Sequence, residues 1–324
     1  MEVIKISAEQ EQQRTDRFLK KLLPNAPLGK IYKIIRTDLK VNGKRVRPEH
    51  ILVLGDEVKL FLPDDVMEAF SKEEKKPEKK SKKQFTVVYE DDNILLVNKP
   101  KGLLTHGDKT EKKNTLVNQV VGYLVDKGDY KFSRINTFVP APVNRLDRNT
   151  SGLVIFGKSN AGLQALNRMI KDKKSIRKYY LAIAKGELYE EKVLRSTMEK
   201  DSFQNKIRLG TEDEAGLKYM ETVIRPLDVR NGFSLVEAQL VTGRTHQIRA
   251  HLASQKLYII GDIKYGSASG NAFAKKNFGL TTQFLHAYKL EFDDCPTPFE
   301  YLNGRSFEAP LSEELEAVKE KLFG

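Results

Sequence analysis

One aspartate stands between two arginines in PVNRLDRNTSGLVIFGK, residues 142–158: Asp147, with Arg145 two positions before it and Arg148 directly after. Nearby guanidinium groups favour the ionised carboxylate, a form suited to act as nucleophile or base and unsuited to act as acid. In an extended segment Arg145 and Asp147 share a side, and Arg148 faces the other way. The local chemistry also fits a plain salt-bridge partner, because most Asp–Arg neighbours are structural or surface pairs. A second cluster, LVTGRTHQIRAHL at 240–252, reads as the end of a strand, a turn at Gly243 and a short helix. Thr245 is the expected N-cap, which would aim free N–H groups and the positive helix end at the preceding loop. Arg244 at that mouth is placed to pair with Asp147 or with a phosphate. His246 and His251 lie five apart, which is not the i, i+4 spacing of two metal ligands on one helix face, so no metal site is expected. A third element, RKYYLAIAKG, puts Tyr180 in a strand, with a phenol able to stack on a base or handle a proton; an ordinary strand tyrosine is the plainer account.

These groups need elements to hold them. The chain has 324 residues and is 40% hydrophobic, enough to bury a real core in one large domain or two unequal ones. Its apolar runs are far too short to span a bilayer. The start, MEVIKISAEQEQQ, lacks a basic-then-apolar signal segment. A single cysteine, Cys295, excludes an intramolecular disulfide and a cysteine-based zinc site, and fits a cytoplasmic location. The net charge of +12 points to a polyanionic partner, although a basic protein need not have one.

Residues 71–84, SKEEKKPEKKSKKQ, carry seven Lys and three Glu and no apolar residue, which reads as a flexible Lys-rich linker. Before it, residues 1–70 contain two helical stretches with apolar residues at helical spacing and an Asn42-Gly43 turn. From 85 to 324 the strands outnumber the helices and do not alternate strictly with them. That pattern predicts an α+β domain with a mixed, largely antiparallel sheet and flanking helices. Neither a P-loop nor a dinucleotide-binding glycine loop is present.

Several stretches carry resemblances. In the first seventy residues, RTDRFL, IIRTDLKVNGKRV and GDEV resemble an S4 RNA-binding domain, which implies RNA contacts from Arg36, Lys40, Lys44 and Arg45. After the linker, RLDRNTSGL at 145–153, KYYLA at 178–182 and GRTHQIRAHL at 243–252 resemble the pseudouridine synthases of the RluA group, and ILLVNKPKGLLTH at 94–106 and GDIKYG at 261–266 match flanking segments of that group. The resemblance implies a pseudouridine synthase fold and the isomerisation of uridine without cofactor or metal. It implies Asp147 as nucleophile, Tyr180 as platform and proton handler, and Arg244 as the cation that keeps Asp147 charged. Lys99, Arg145, Arg148, Lys178 and Arg249 are expected to contact RNA. An S4-like module is common in the branch acting on large-subunit (23S) ribosomal RNA, which makes that RNA the expected partner, free or in a pre-ribosomal particle. The alternatives are the same reaction on transfer RNA, a base-releasing glycosylase, or a non-catalytic RNA-binding ribosome assembly factor. Two departures from the group's pattern, Asn144 in place of a usual His and Asn149 in place of a usual Glu, bear on the target rather than the chemistry. A monomer is the default expectation.

Overall fold

The computed structural model describes residues 1–7, 9–71, 82–132, 138–201, 206–210 and 217–324; the expected flexible linker falls mostly on 72–81, outside the described residues. The N-terminal part runs β1 (Glu2–Lys5), α1 (Thr15–Leu22), α2 (Leu28–Thr37), β2 (Leu39–Val41), β3 (Glu57–Leu60) and α3 (Asp64–Phe70). Phe18, Leu19 and Leu22 of α1 recur at helical spacing and pack with Ile31, Ile34 and Ile35 of α2 against a three-stranded antiparallel sheet in the order β1-β3-β2. Asn42 and Gly43 both have positive φ (49° and 76°), a turn conformation these two residue types tolerate. The Asn42 side chain locks the turn: its Nδ2 donates to Asp56 Oδ1 at 2.7 Å and its Oδ1 accepts from Glu57 N at 2.9 Å. Arg36, Lys40, Lys44 and Arg45 are all exposed.

The larger part continues with β4 (Thr86–Glu90), β5 (Ile94–Lys99), α4 (Leu116–Lys127), β6 (Ala141–Pro142), β7 (Ser151–Gly157), α5 (Asn160–Asp172), β8 (Ile176–Lys185), β9 (Lys192–Asp201), β10 (Lys206–Gly210), β11 (Lys218–Arg230) and β12 (Phe233–Leu240). It ends with α6 (Gln247–Ser254), β13 (Tyr258–Ile259), α7 (Ala268–Phe278), β14 (Leu285–Phe292), β15 (Ser306–Glu308) and α8 (Glu313–Phe323). The strands form one sheet with main order β10-β9-β11-β12-β8-β14-β7-β5-β4. Its pairs are antiparallel except β14 with β7. This is the mixed, largely antiparallel α+β architecture read from the sequence.

Strands β5 and β7 feed two cores. Leu95, Val97, Val154 and Phe156 face the cluster that contains Leu116, Val120 and Leu124 of α4. Ile94, Leu96, Leu153 and Ile155 face the cluster that contains Ala165, Leu166 and Met169 of α5. A strand covered on both faces has no polar side, hence the unbroken run Leu-Val-Ile-Phe. At the parallel junction Gly152 has φ +113°, and a Cβ there would lie 2.2 Å from the Ala287 carbonyl oxygen. Only glycine fits that approach. Ala287 is paired with Gly152 on one side and with Tyr180 on the other. Among the described residues no helix is long and apolar enough to cross a membrane.

Candidate active site

Asp147 sits in the connection between β6 and β7, and both neighbouring peptides are held. Thr105 Oγ1 donates to Leu146 O at 3.0 Å and accepts from Leu146 N at 3.2 Å. Lys99 Nζ donates to the carbonyls of Leu103, Pro100 and Arg148 at 2.8, 3.0 and 3.1 Å. Thr150 N closes a turn onto Asp147 O at 3.1 Å. Asn144 ties the loop to its own strand, accepting from Ile155 N at 2.8 Å and donating to Leu153 O at 3.2 Å. Lys99 is 0% exposed. Burial pulls its pKa down to about 7, and the charge of Asp147 works against that shift. A lysine with three carbonyls around three N–H donors is a brace.

The partner of the Asp147 carboxylate comes from the first turn of α6. Arg249 Nη1 lies 2.9 Å from Asp147 Oδ2. The same guanidinium grips Asp262 with Nε and Nη2 at 2.6 and 2.8 Å. Asp262 is fully buried, and its Oδ1 also accepts from the backbone of Lys264 and Tyr265 at 2.8 and 3.0 Å. Burial opposes its charge, but Arg249 and these N–H groups hold its pKa below the usual carboxylate range. The guanidinium carbon stands 5.1 Å from the Tyr265 ring centroid. His246 Nδ1 is 3.1 Å from Tyr265 Oη, and its Nε2 is 3.8 Å from Asp147 Oδ2. Burial lowers the His246 pKa, so its ring tends to neutrality, while Asp147 pulls the other way.

Asp147, Tyr180, Lys178, His246 and Arg249 line one cavity of about 490 Å³, with Arg145 and Arg244 also on its wall. That volume is in the range of small-molecule sites, large enough for a nucleoside. Burial, and then the charge of Asp147, raise the Tyr180 phenol well above its ordinary pKa, so it stays protonated at neutral pH. Lys178 lies two residues earlier on β8, and its pKa is lowered to about 8 by burial and by the charge of Lys173.

Four sequence expectations need correction. Arg244 does not pair with Asp147; it is exposed, its Nε is 3.4 Å from Tyr219 O, and Arg249 takes the carboxylate. Arg249 is 5% exposed and its nitrogens are taken by two carboxylates, so the structure places it as an internal ion pair on the cavity wall rather than as a free surface cation. Lys99 is enclosed and cannot reach a phosphate. Thr245 is not the N-cap: α6 starts at Gln247, after His246 in the left-handed region at φ 55°. No side chain caps α6; the Gln247 side chain instead ties the turn before the helix to β11, accepting from Thr242 Oγ1 and Arg244 N at 2.8 and 3.0 Å and donating to Glu221 O and Thr222 Oγ1 at 2.8 and 2.9 Å. His251 is enclosed, with Ser196 Oγ and Thr222 Oγ1 each 2.8 Å from a ring nitrogen. Asp262, Thr105 and Gln247 escaped the sequence reading. The apolar YIIG preceding Asp262 was the available signal, since an acid in such a run needs a buried cation.

The chain belongs to the RNA pseudouridylate synthase family, whose match covers residues 93–254. It is 30% identical to ribosomal large subunit pseudouridine synthase C of Vibrio vulnificus (strain CMCP6) over 99% of this chain and 96% of that protein. The synthase of the same name from Escherichia coli (strain K12) is 31% identical over 99% of this chain and 97% of its own length. An uncharacterized RNA pseudouridine synthase of Mycoplasma capricolum is 31% identical over 93% of this chain and 94% of that protein. Among solved structures, human RNA pseudouridylate synthase domain containing 4 shares the fold with a TM-score of 0.57 at 19% identity, covering 73% of this chain and 92% of that one.

Proposed function

We propose that this chain isomerises uridines of large-subunit ribosomal RNA to pseudouridine, with Asp147 as the nucleophile. The observation that carries the reading is the Asp147 carboxylate held at 2.9 Å by Arg249 on the wall of a nucleoside-sized cavity shared with Tyr180. The N1–C1′ bond of uridine breaks, the uracil turns in place, and a C5–C1′ bond forms. The C5 proton leaves and N1 gains one, so the product has the mass of the substrate. Asp147 supplies the electron pair that bonds to the nucleoside in between and regains it at the end. The target base has to leave its stack to reach the cavity, and Tyr180 offers it a face to lie on. The protonated phenol acts as a hydrogen-bond donor at neutral pH. The choice of ribosomal RNA is supported by the names of the relatives aligned over nearly the whole chain. The exposed Arg36, Lys40, Lys44 and Arg45 give the N-terminal part, read as an S4-like module, a phosphate-binding face.

The test is release of tritium from carbon five of uracil. Large-subunit ribosomal RNA labelled there should lose tritium with the full-length protein and not with Asp147→Asn. Release from transfer RNA alone would overturn the substrate, and base loss with a fall in RNA mass would overturn the isomerase reading.

A further inference from the structure

We propose that Lys171, Lys173 and Lys178 form an anion subsite at one end of the cavity, which takes a phosphodiester of the RNA strand beside the target uridine. The inference deepens the functional reading above and rests on it.

Lys178 carries the argument. It is 7% exposed and lines the cavity, on the same face of β8 as Tyr180 two residues on. Among the described residues it has no hydrogen bond and no ion pair. Other enclosed lysines are provided for: Lys99 has three carbonyls, and Lys158 Nζ lies 2.7 Å from both Glu90 and Asp129. An ammonium group withdrawn from water without a partner is unfavourable, and such groups mark sites where a ligand completes the pairing.

The surroundings say which ligand. Lys171 and Lys173, at the end of α5, are exposed and line the same cavity. Lys173 takes the C-cap in the left-handed region at φ 63°. Asp172 between them forms no ion pair with either: its Oδ1 accepts from Lys174 N and Ser175 N at 3.0 and 3.4 Å, and its Oδ2 from Ser175 Oγ at 3.3 Å. The acid on the cavity wall is Asp147, which Arg249 has taken. A uracil carbonyl is neutral and needs one donor. Three lysines lining one cavity, none of them in an ion pair among the described residues, match an anion, and in RNA that anion is the phosphodiester.

The experiment starts by finding an RNA fragment from which the full-length protein releases tritium. Equilibrium binding of that fragment is then measured against salt, in the full-length Asp147→Asn background. Lys178→Gln should reduce the log–log salt slope by about 0.7, the value for one phosphate contact on a single strand. Lys171→Gln with Lys173→Gln should reduce it further, and Lys178→Arg should restore it. Lys178→Met should melt no lower than the parent, because it removes an unpaired buried charge. An unchanged slope with Lys178→Gln, or Gln binding as well as Lys, would mean a neutral carbonyl contact and overturn the subsite alone. A lower melting temperature for Lys178→Met would mean a structural lysine and also overturn it. No tritium release from any RNA would remove the functional reading, and the subsite with it.

Discussion

Arg249 meets Asp147 through a single nitrogen, Nη1, at 2.9 Å, while its Nε and Nη2 are committed to Asp262. The Asp147 carboxylate is therefore fixed without being enclosed. Its side chain is 22% exposed, and among the described residues its second oxygen carries no hydrogen bond. A two-pronged grip on Asp147 would tie up both oxygens. Giving that grip to Asp262 leaves an oxygen turned to the cavity.

Replacing Asp147 by Asn keeps the shape and removes the charge. Turnover should fall by on the order of 10⁴-fold or more, as for other essential nucleophiles. RNA affinity and melting temperature should stay near those of the parent, because Asp262 still holds Arg249. Single-turnover tritium release beside binding isotherms checks this; retained turnover removes Asp147 from the mechanism.

Arg249→Met and Arg244→Ala should separate cleanly. The first leaves Asp262 buried with a charge and no cation, a loss of about 3–5 kcal/mol in stability as for one broken buried pair. The second removes an exposed arginine, and should change stability by less than about 0.5 kcal/mol while raising KM for RNA. Urea midpoints and steady-state kinetics on both variants provide the comparison.

Lys99→Met takes the brace from behind Asp147 and leaves three carbonyls short of a donor. Stability should drop by roughly 1–3 kcal/mol. The kcat should fall while RNA affinity holds, since the side chain never meets solvent. A variant that loses affinity and keeps kcat would show that Lys99 reaches RNA after all.

His251 gives the protein an acid-sensitive core. Burial lowers its pKa from 6.5 to about 4. The unfolded chain takes up a proton below about 6.5 that the folded chain refuses until about 4, so stability is full above that range and falls as the pH drops through it. The loss reaches about 3 kcal/mol near the lower end. Buried His286, also shifted down, adds in the same direction. Urea unfolding at about pH 7 and pH 5 should show a smaller drop for His251→Gln than for the parent; equal drops would place the sensitivity elsewhere.

Gly152→Ala should be among the most damaging small changes. Its Cβ would meet the Ala287 carbonyl oxygen at 2.2 Å, in a backbone conformation at φ +113° that side chains resist. We expect poor folding and no turnover, read from circular dichroism and tritium release.

The strand that carries Tyr180 and the turn after Asp147 were legible because strand alternation and turn residues are local, whereas the roles expected of the two residues came from the resemblance. The choice between Arg244 and Arg249 was not legible. Both lie in one ten-residue motif, and what separates them is a carboxylate thirteen residues beyond Arg249, on the far side of a helix and a turn. Lys99 was misread by a similar default: lysines and arginines belong at the surface unless paired, and the carbonyls that pair this one are backbone groups no sequence pattern displays. The helix starts one residue later than a Thr245 cap would place it because His246 takes a left-handed conformation, at φ 55°, and no side chain caps the helix.

Strand β14 lends no side chain to the chemistry, yet it acts as a gauge block. Ala287 faces Gly152 across one edge and Tyr180 across the other, which sets β7, entered from the turn that carries Asp147, about 10 Å from β8, two interstrand steps. The spacing of the Asp147 turn from Tyr180 is thus gauged by a residue outside the cavity lining, and a slip of that strand by one place would displace both together.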